Sequence, residues 1–135
     1  NGRGSGSRNS SDGAFQWDGE QEKYWTSDVV NYSYYIYGWN DDFSGTRSVA
    51  DANGFSVRLI KDDSNDPGFV IDYDGNVYLT VKIGSQVWTS KNLSVTHYRN
   101  GTDITNVTNN TTWFGLTTEA YCAYNNDINN VFIIP

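Results

Sequence analysis

Methionine is absent from this chain, histidine and cysteine occur once each, and proline occurs twice. The single thiol, Cys122, allows no intrachain disulfide, so cysteine spacing carries no information about redox compartment. His97 has no neighbouring serine or cysteine motif that marks a nucleophile, and a lone histidine in an aromatic-rich β chain reads as a hydrogen-bonded structural residue. Basic residues are few: nine Lys and Arg against sixteen Asp and Glu give a formal net charge of −7. That balance argues against nucleic-acid binding, which rests on Lys and Arg releasing counterions, and it disfavours anionic membrane surfaces. No apolar run is long enough to span a bilayer, Val131-Phe132-Ile133-Ile134-Pro135 being far too short, so no membrane insertion is expected. The first residues lack the basic stretch and apolar core of a signal peptide, as a processed chain also would. Helical spacing of apolar residues nowhere persists beyond about two turns.

Aromatic residues are plentiful instead, set among Asn, Ser, Thr and Gly, a composition that fits a secreted or surface protein. Asn1 to Ser11 is Gly/Ser/Arg-rich and reads as a flexible arm in isolation. Phe15-Gln16-Trp17, Lys23-Tyr24-Trp25-Thr26 and Tyr32 to Trp39 read as strands, with Asn40-Asp41-Asp42 turning the chain. Arg47 to Ala52 fits either a short strand or a helical turn. Gly54 to Lys61 predicts a strand with Phe55, Val57 and Leu59 on one face, and the polar run 62–68 reads as a linker. Beyond it, Phe69 to Tyr73 leads to Asp74-Gly75, a pair suited to a two-residue hairpin turn. Val77 to Ile83 then alternates strictly, and Gly84-Ser85 turns the chain into Gln86-Val87-Trp88-Thr89, completing a three-stranded meander. Val77, Leu79, Val81, Ile83 and Trp88 are the expected buried face, with Tyr78 and Lys82 opposite; on that footing Leu79→Ala should cost about 2–5 kcal/mol. Asn100 to Thr112 is an Asn/Thr-rich loop, and helix is limited to short turns near Trp113 to Leu116. The fold class is mainly β with little helix, in antiparallel meanders.

Several of these segments carry a family resemblance. Asp72-Tyr73-Asp74-Gly75-Asn76-Val77-Tyr78, Val81 to Trp88, Lys91-Asn92-Leu93, His97-Tyr98-Arg99-Asn100-Gly101 and Ala120 to Asp127 together resemble the opening half of the Fibrobacter succinogenes major paralogous domain. Ser11-Asp12-Gly13-Ala14-Phe15, Tyr24-Trp25-Thr26-Ser27 and Gly54-Phe55-Ser56-Val57-Arg58 resemble its closing half. The halves stand in swapped order, and the family's central helix and Trp-Arg/His-Leu/Val-Pro segment are missing. Residues 1–61 would then be a closing half and 69–135 an opening half, either of two neighbouring domains in an array or of one circular permutant. The resemblance implies exported bacterial surface proteins and admits a C-type-lectin-like mixed α+β fold. Members often carry a cysteine where this chain has Leu59, so no family disulfide transfers.

No catalytic constellation emerges, and the chain reads as a non-enzyme without cofactor. The carboxylates sit mostly in turns, where chance proximity explains a close pair better than glycosidase chemistry does. Asp72-x-Asp74-Gly75-Asn76 opens like a calcium loop, but Ile83 stands where a bidentate Glu is needed, so a turn closed by Asp and Asn side chains is the better reading. Tyr35, Tyr37 and Trp39 are the candidate ligand-binding residues, a stacking platform for sugar rings; burial in a core or an interface is the competing account of the same aromatics. Asn-x-Ser/Thr triplets such as Asn31-Tyr32-Ser33 recur, as Asn- and Thr-rich sequence produces by chance. The expected function is that of a noncatalytic extracellular structural or adhesive protein, a subunit of a bacterial surface assembly or filament, with a carbohydrate-binding lectin-like module as the alternative. Its partner would be further copies of itself in head-to-tail contact, because incomplete halves leave strand edges and apolar surface exposed.

Overall fold

The structure, a computed structural model, describes residues 5–18, 20–25, 32–37, 43–48, 52–61 and 68–131. It is mainly β, with one short α-helix and two 3-10 turns among the described residues. Contacts divide the chain into two compact units, one of Asn1–Ser56 with Thr105–Pro135 and one of Val57–Ile104. The division expected at 62–68 rests on the polar run itself and on the resemblance of the halves on either side of it; residues 62–67 lie outside the described residues.

In the first unit, strands β1 (Ser5–Arg8), β2 (Phe15–Asp18), β3 (Gln21–Trp25), β4 (Tyr32–Tyr37) and β5 (Phe43–Ser48) form a sheet in the order β2-β1-β3-β4-β5. Within this sheet only the β1–β3 pair is parallel, and a register shift between Tyr34 and Ile36 interrupts the β4–β5 ladder. β5 takes in Arg47 and Ser48, which favours the strand over the helical turn there. The turn 40–42 lies outside the described residues.

Of the Gly/Ser/Arg-rich stretch at the N-terminus, the described residues from Ser5 onward are built into the first unit. Residues 5–8 are an inner strand, paired to β2 on one side and β3 on the other, so ladder bonds override the low strand propensity of Gly and Ser. Arg8 ends that strand in a two-way backbone exchange with Gly54, at 2.9 and 2.8 Å. Its side chain is only 2% exposed. Four donors meet the Gly13 carbonyl at 2.8 Å, the Val107 carbonyl, the Thr108 carbonyl at 3.0 Å and Asn110 Oδ1 at 3.0 Å. The guanidinium also lies 4.8 Å from the Phe15 ring centre and 4.3 Å from that of Trp113.

Trp113 belongs to helix α1 (Asn110–Phe114), which Asn109 caps by accepting the Thr112 N–H at 2.9 Å. Its indole donates to the Ala52 carbonyl at 2.9 Å, and buried Val107 follows the short parallel pair of β10 (Thr105–Asn106) and β11 (Ala120–Tyr121). The segment Gly54–Ser56 bridges to Arg8 and Tyr24, and Phe55 packs 4.8 Å from Trp25. The strand expected over 54–61 is therefore not continuous: the backbone bonds of 54–56 go to β1 and β3, and regular pairing resumes only at β6 (Ile60–Lys61).

The second unit contains the expected meander. Strands β6, β7 (Phe69–Ile71), β8 (Val77–Ile83) and β9 (Gln86–Thr89) form an antiparallel sheet in the order β6-β9-β8-β7. Gly84-Ser85 closes a two-residue hairpin, with Ile83 opposite Gln86. The first turn is longer than the Asp74-Gly75 signal suggests. Ile71 pairs with Val77, leaving the five-residue loop 72–76, in which Gly75 supplies the positive φ of +83°.

The covered face is the reverse of the expected one. Tyr78 is 2% exposed and shares its face with buried Val87 and Thr89, whereas Leu79 is 61% exposed and Val77, Val81 and Ile83 are exposed with it; Trp88 is half-buried. Alternation establishes which residues share a face but not which face the chain covers. Here Ser94, beyond β9, hydrogen-bonds to Tyr78 and places the polypeptide on the tyrosine side.

Two outcomes follow from this packing. Arg8→Met, of similar length but without donors, should cost about 3–5 kcal/mol in chemical denaturation, since it leaves several buried carbonyls unpaired; Arg8→Lys should recover only part of that, because an ammonium cannot reproduce the fork. Leu79→Ala should change the stability of the single chain by less than about 1 kcal/mol, measured at high dilution.

Candidate functional site

The most developed group of side chains among the described residues gathers at the β7–β8 loop. Asp72 closes the loop on itself: its carboxylate accepts the Asn76 N–H at 2.9 Å, the Asn76 side-chain amide at 2.9 Å and the Tyr78 hydroxyl at 2.6 Å. This is the Asp/Asn-satisfied turn expected from the residue types. Partial burial pushes the Asp72 carboxyl up, but the hydrogen bonds from Tyr78 and Asn76 outweigh it and hold the group below its ordinary value. Burial, joined by the neighbouring Asp72 carboxylate, pushes the Tyr78 phenol above its own ordinary value. The same phenol oxygen accepts the Ser94 N–H at 3.0 Å, tying the loop to the segment after β9.

Asp74 faces the other way. Its carboxylate accepts the Thr96 N–H and, at 2.9 Å, the Thr96 hydroxyl, while its second oxygen contacts His97 Nδ1. The backbone donor of Thr96 is the main reason that this carboxyl also titrates below its ordinary value. His97 Nε2 lies 2.9 Å from Asp103 Oδ1. The two residues face one another across a narrow hairpin, closed by Tyr98 N–H to the Thr102 carbonyl at 2.8 Å, Gly101 N–H to the Tyr98 carbonyl at 2.9 Å and Ile104 N–H to the Thr96 carbonyl at 2.8 Å. Gly101 has a φ of +85°, and a Cβ there would fall 2.4 Å from the Tyr73 hydroxyl. Loop 72–76 and hairpin 96–104 are thus clasped by Asp74, His97 and the Tyr73–Gly101 contact.

The second feature is the open face of the same sheet. Phe69 (63% exposed), Ile71, Val77, Leu79, Val81 and Ile83 stand together on β7 and β8, in the register Phe69–Leu79 and Ile71–Val77. Ile60, opposite Trp88, extends this apolar surface to β6. β7 and β6 are the two end strands of the sheet.

The aromatic platform expected from sequence falls elsewhere. Tyr35 and Tyr37 belong to β4, where the backbone pairs them with Lys23 and Gln21; the description of β4 does not extend to its side chains, and Trp39 lies outside the described residues. Cys122 is a free thiol in the first unit, its titration pushed up by burial and partly drawn back by the Arg8 guanidinium. Among the described residues no group of three His, Cys, Asp or Glu is disposed to hold a metal, and the two carboxylates around His97 meet opposite ring nitrogens. From sequence, Asp74 and His97 read as separate features, a turn residue and a structural histidine. A signal for their meeting exists only in the length of the meander, which returns the chain beside its own first turn. No family model, no curated protein and no solved structure matches the chain.

Tyr78→Phe removes the donor to Asp72 and the acceptor of the Ser94 N–H. It should raise the Asp72 carboxyl toward its ordinary value in a carbon-detected titration and cost about 1–3 kcal/mol. Since folding lowers the Asp72 and Asp74 carboxyls, their contribution is present above the ordinary carboxylate value of about 4 and is lost as pH falls through the lower folded values. Protection of the Asn76 and Thr96 amides should therefore fail at the acid end.

Proposed function

We propose that this chain is a noncatalytic structural or adhesive protein of the bacterial extracellular surface, acting as a subunit that associates with further copies of itself. The observation that supports the reading most is the apolar surface of Phe69, Ile71, Val77, Leu79, Val81 and Ile83, six large side chains exposed side by side on one sheet face without a charge among them. Contiguous apolar patches beyond a few hundred Å² are uncommon on monomeric proteins and mark association sites. The end strand β7 lies at the rim of this surface, where strand addition by a neighbour is a familiar physical route to head-to-tail growth. An acidic surface of formal net charge −7 would keep such assemblies dispersed. The resemblance of both chain halves to the Fibrobacter paralogous domain agrees with export and with assembly from repeated modules.

The test is the oligomeric state. Light scattering after size exclusion should give particles larger than the 15.2 kDa chain at micromolar concentration. Association should persist at 1 M salt, where charge repulsion is screened beyond about 3 Å and apolar contact is not weakened. Leu79→Lys with Ile83→Lys, both at exposed positions, should return the chain toward a monomer with unchanged circular dichroism. A wild-type chain that stays monomeric, or a monomer retained on immobilised glycans, overturns the reading.

A further inference from the structure

His97 meets a carboxylate at each ring nitrogen, Asp74 at Nδ1 and Asp103 at Nε2. An ionised carboxylate only accepts, so each contact needs an N–H on the ring, and a neutral imidazole has only one. Both contacts are made together only by the imidazolium. We propose that Asp74, His97 and Asp103 form a charge-dependent lock that holds hairpin 96–104 to loop 72–76 while His97 is protonated and releases the Asp103 side when the proton is lost.

The two contacts are unequal. Asp74 is also held by the Thr96 N–H and hydroxyl, whereas the Asp103 side chain is 88% exposed, so the neutral ring keeps its proton toward Asp74 and Asp103 lets go. From loop 72–76 the groups facing His97 are Asp74 and the Tyr73 ring, 5.6 Å away between centres; from the opposite arm it is Asp103. Release loosens the hairpin that rests on Tyr73 through Gly101, and with it the turn joining β7 to β8. Those strands carry the exposed apolar face, so self-association through that face weakens as pH rises; this second step rests on the assembly reading above.

The chain has no other histidine, so its ring signals in nuclear magnetic resonance are unambiguous. Through about pH 5 to 8, the range in which histidines change charge, the Tyr98 and Ile104 amides should exchange roughly two- to fivefold faster once the ring is neutral, after correction for intrinsic exchange. His97→Gln should abolish that step. Asp103→Asn should abolish it while the ring still titrates, because an amide can accept from a ring N–H or donate to a bare ring nitrogen. Unchanged protection through the ring titration, or the same step in His97→Gln, overturns the lock. Sedimentation over the same range decides the second step. Association that weakens with the ring titration supports it, and association that stays level while the amides respond overturns the coupling. A chain monomeric at every pH refutes the assembly reading and leaves the lock to be judged on the amides alone.

Discussion

A guanidinium buried without an acidic partner among the described residues needs its donors met by something else, and Arg8 places four of its five N–H groups on carbonyl oxygens drawn from both ends of the first unit. Gly13 follows it by five positions, but Val107, Thr108 and Asn110 lie about a hundred residues away in the chain. Desolvating such a charge costs several kcal/mol, offset only if the hydrogen-bond geometry is held. The rings of Phe15 and Trp113 hold it, and Trp113 is itself fastened to the Ala52 carbonyl. The segments 5–15, 52–56 and 107–113 therefore depend on one side chain, which explains why a Gly/Ser-rich N-terminal stretch is an inner strand.

In the second unit the same accounting turns on polar groups. Tyr78 is buried because its hydroxyl has partners, with Asp72 accepting and Ser94 donating; an aromatic with a satisfied polar tip fits a face crossed by irregular backbone. The aliphatic residues of β8 offer no hydrogen bonds to such backbone, and their side of the sheet stays open. Polar satisfaction thus decides which face this chain covers, and the uncovered one becomes the surface on which its proposed association rests.

The clasp applies the same principle at the loop ends. Asp72 and Asp74 stand two residues apart, yet one turns inward to Asn76 and Tyr78 while the other turns outward to Thr96 and His97. Both carboxyls titrate low because donors surround the charged form, and only the outward one is tied to an imidazole. A stable turn and a titratable joint are in this way built from neighbouring residues of the same chemistry.

Sequence alone determined the strands that depend on local pattern: Phe15 to Trp17, Lys23 to Trp25, the β7–β8–β9 meander, the Gly84-Ser85 turn and the short helix at Trp113, since period-two alternation and turn residues act within a few positions. It also determined that Asp and Asn side chains would satisfy the turn 72–76, though which of the two aspartates does so came from the structure. Tertiary structure decided the rest. Alternation marks two faces of β8 but holds no information on which one later chain will cross, so Tyr78 is inside and Leu79 outside. The pairing of His97 with Asp74 and Asp103, and of Arg8 with carbonyls about a hundred residues away, arises only when distant segments meet, because a hydrogen bond depends on separation in space and not along the chain.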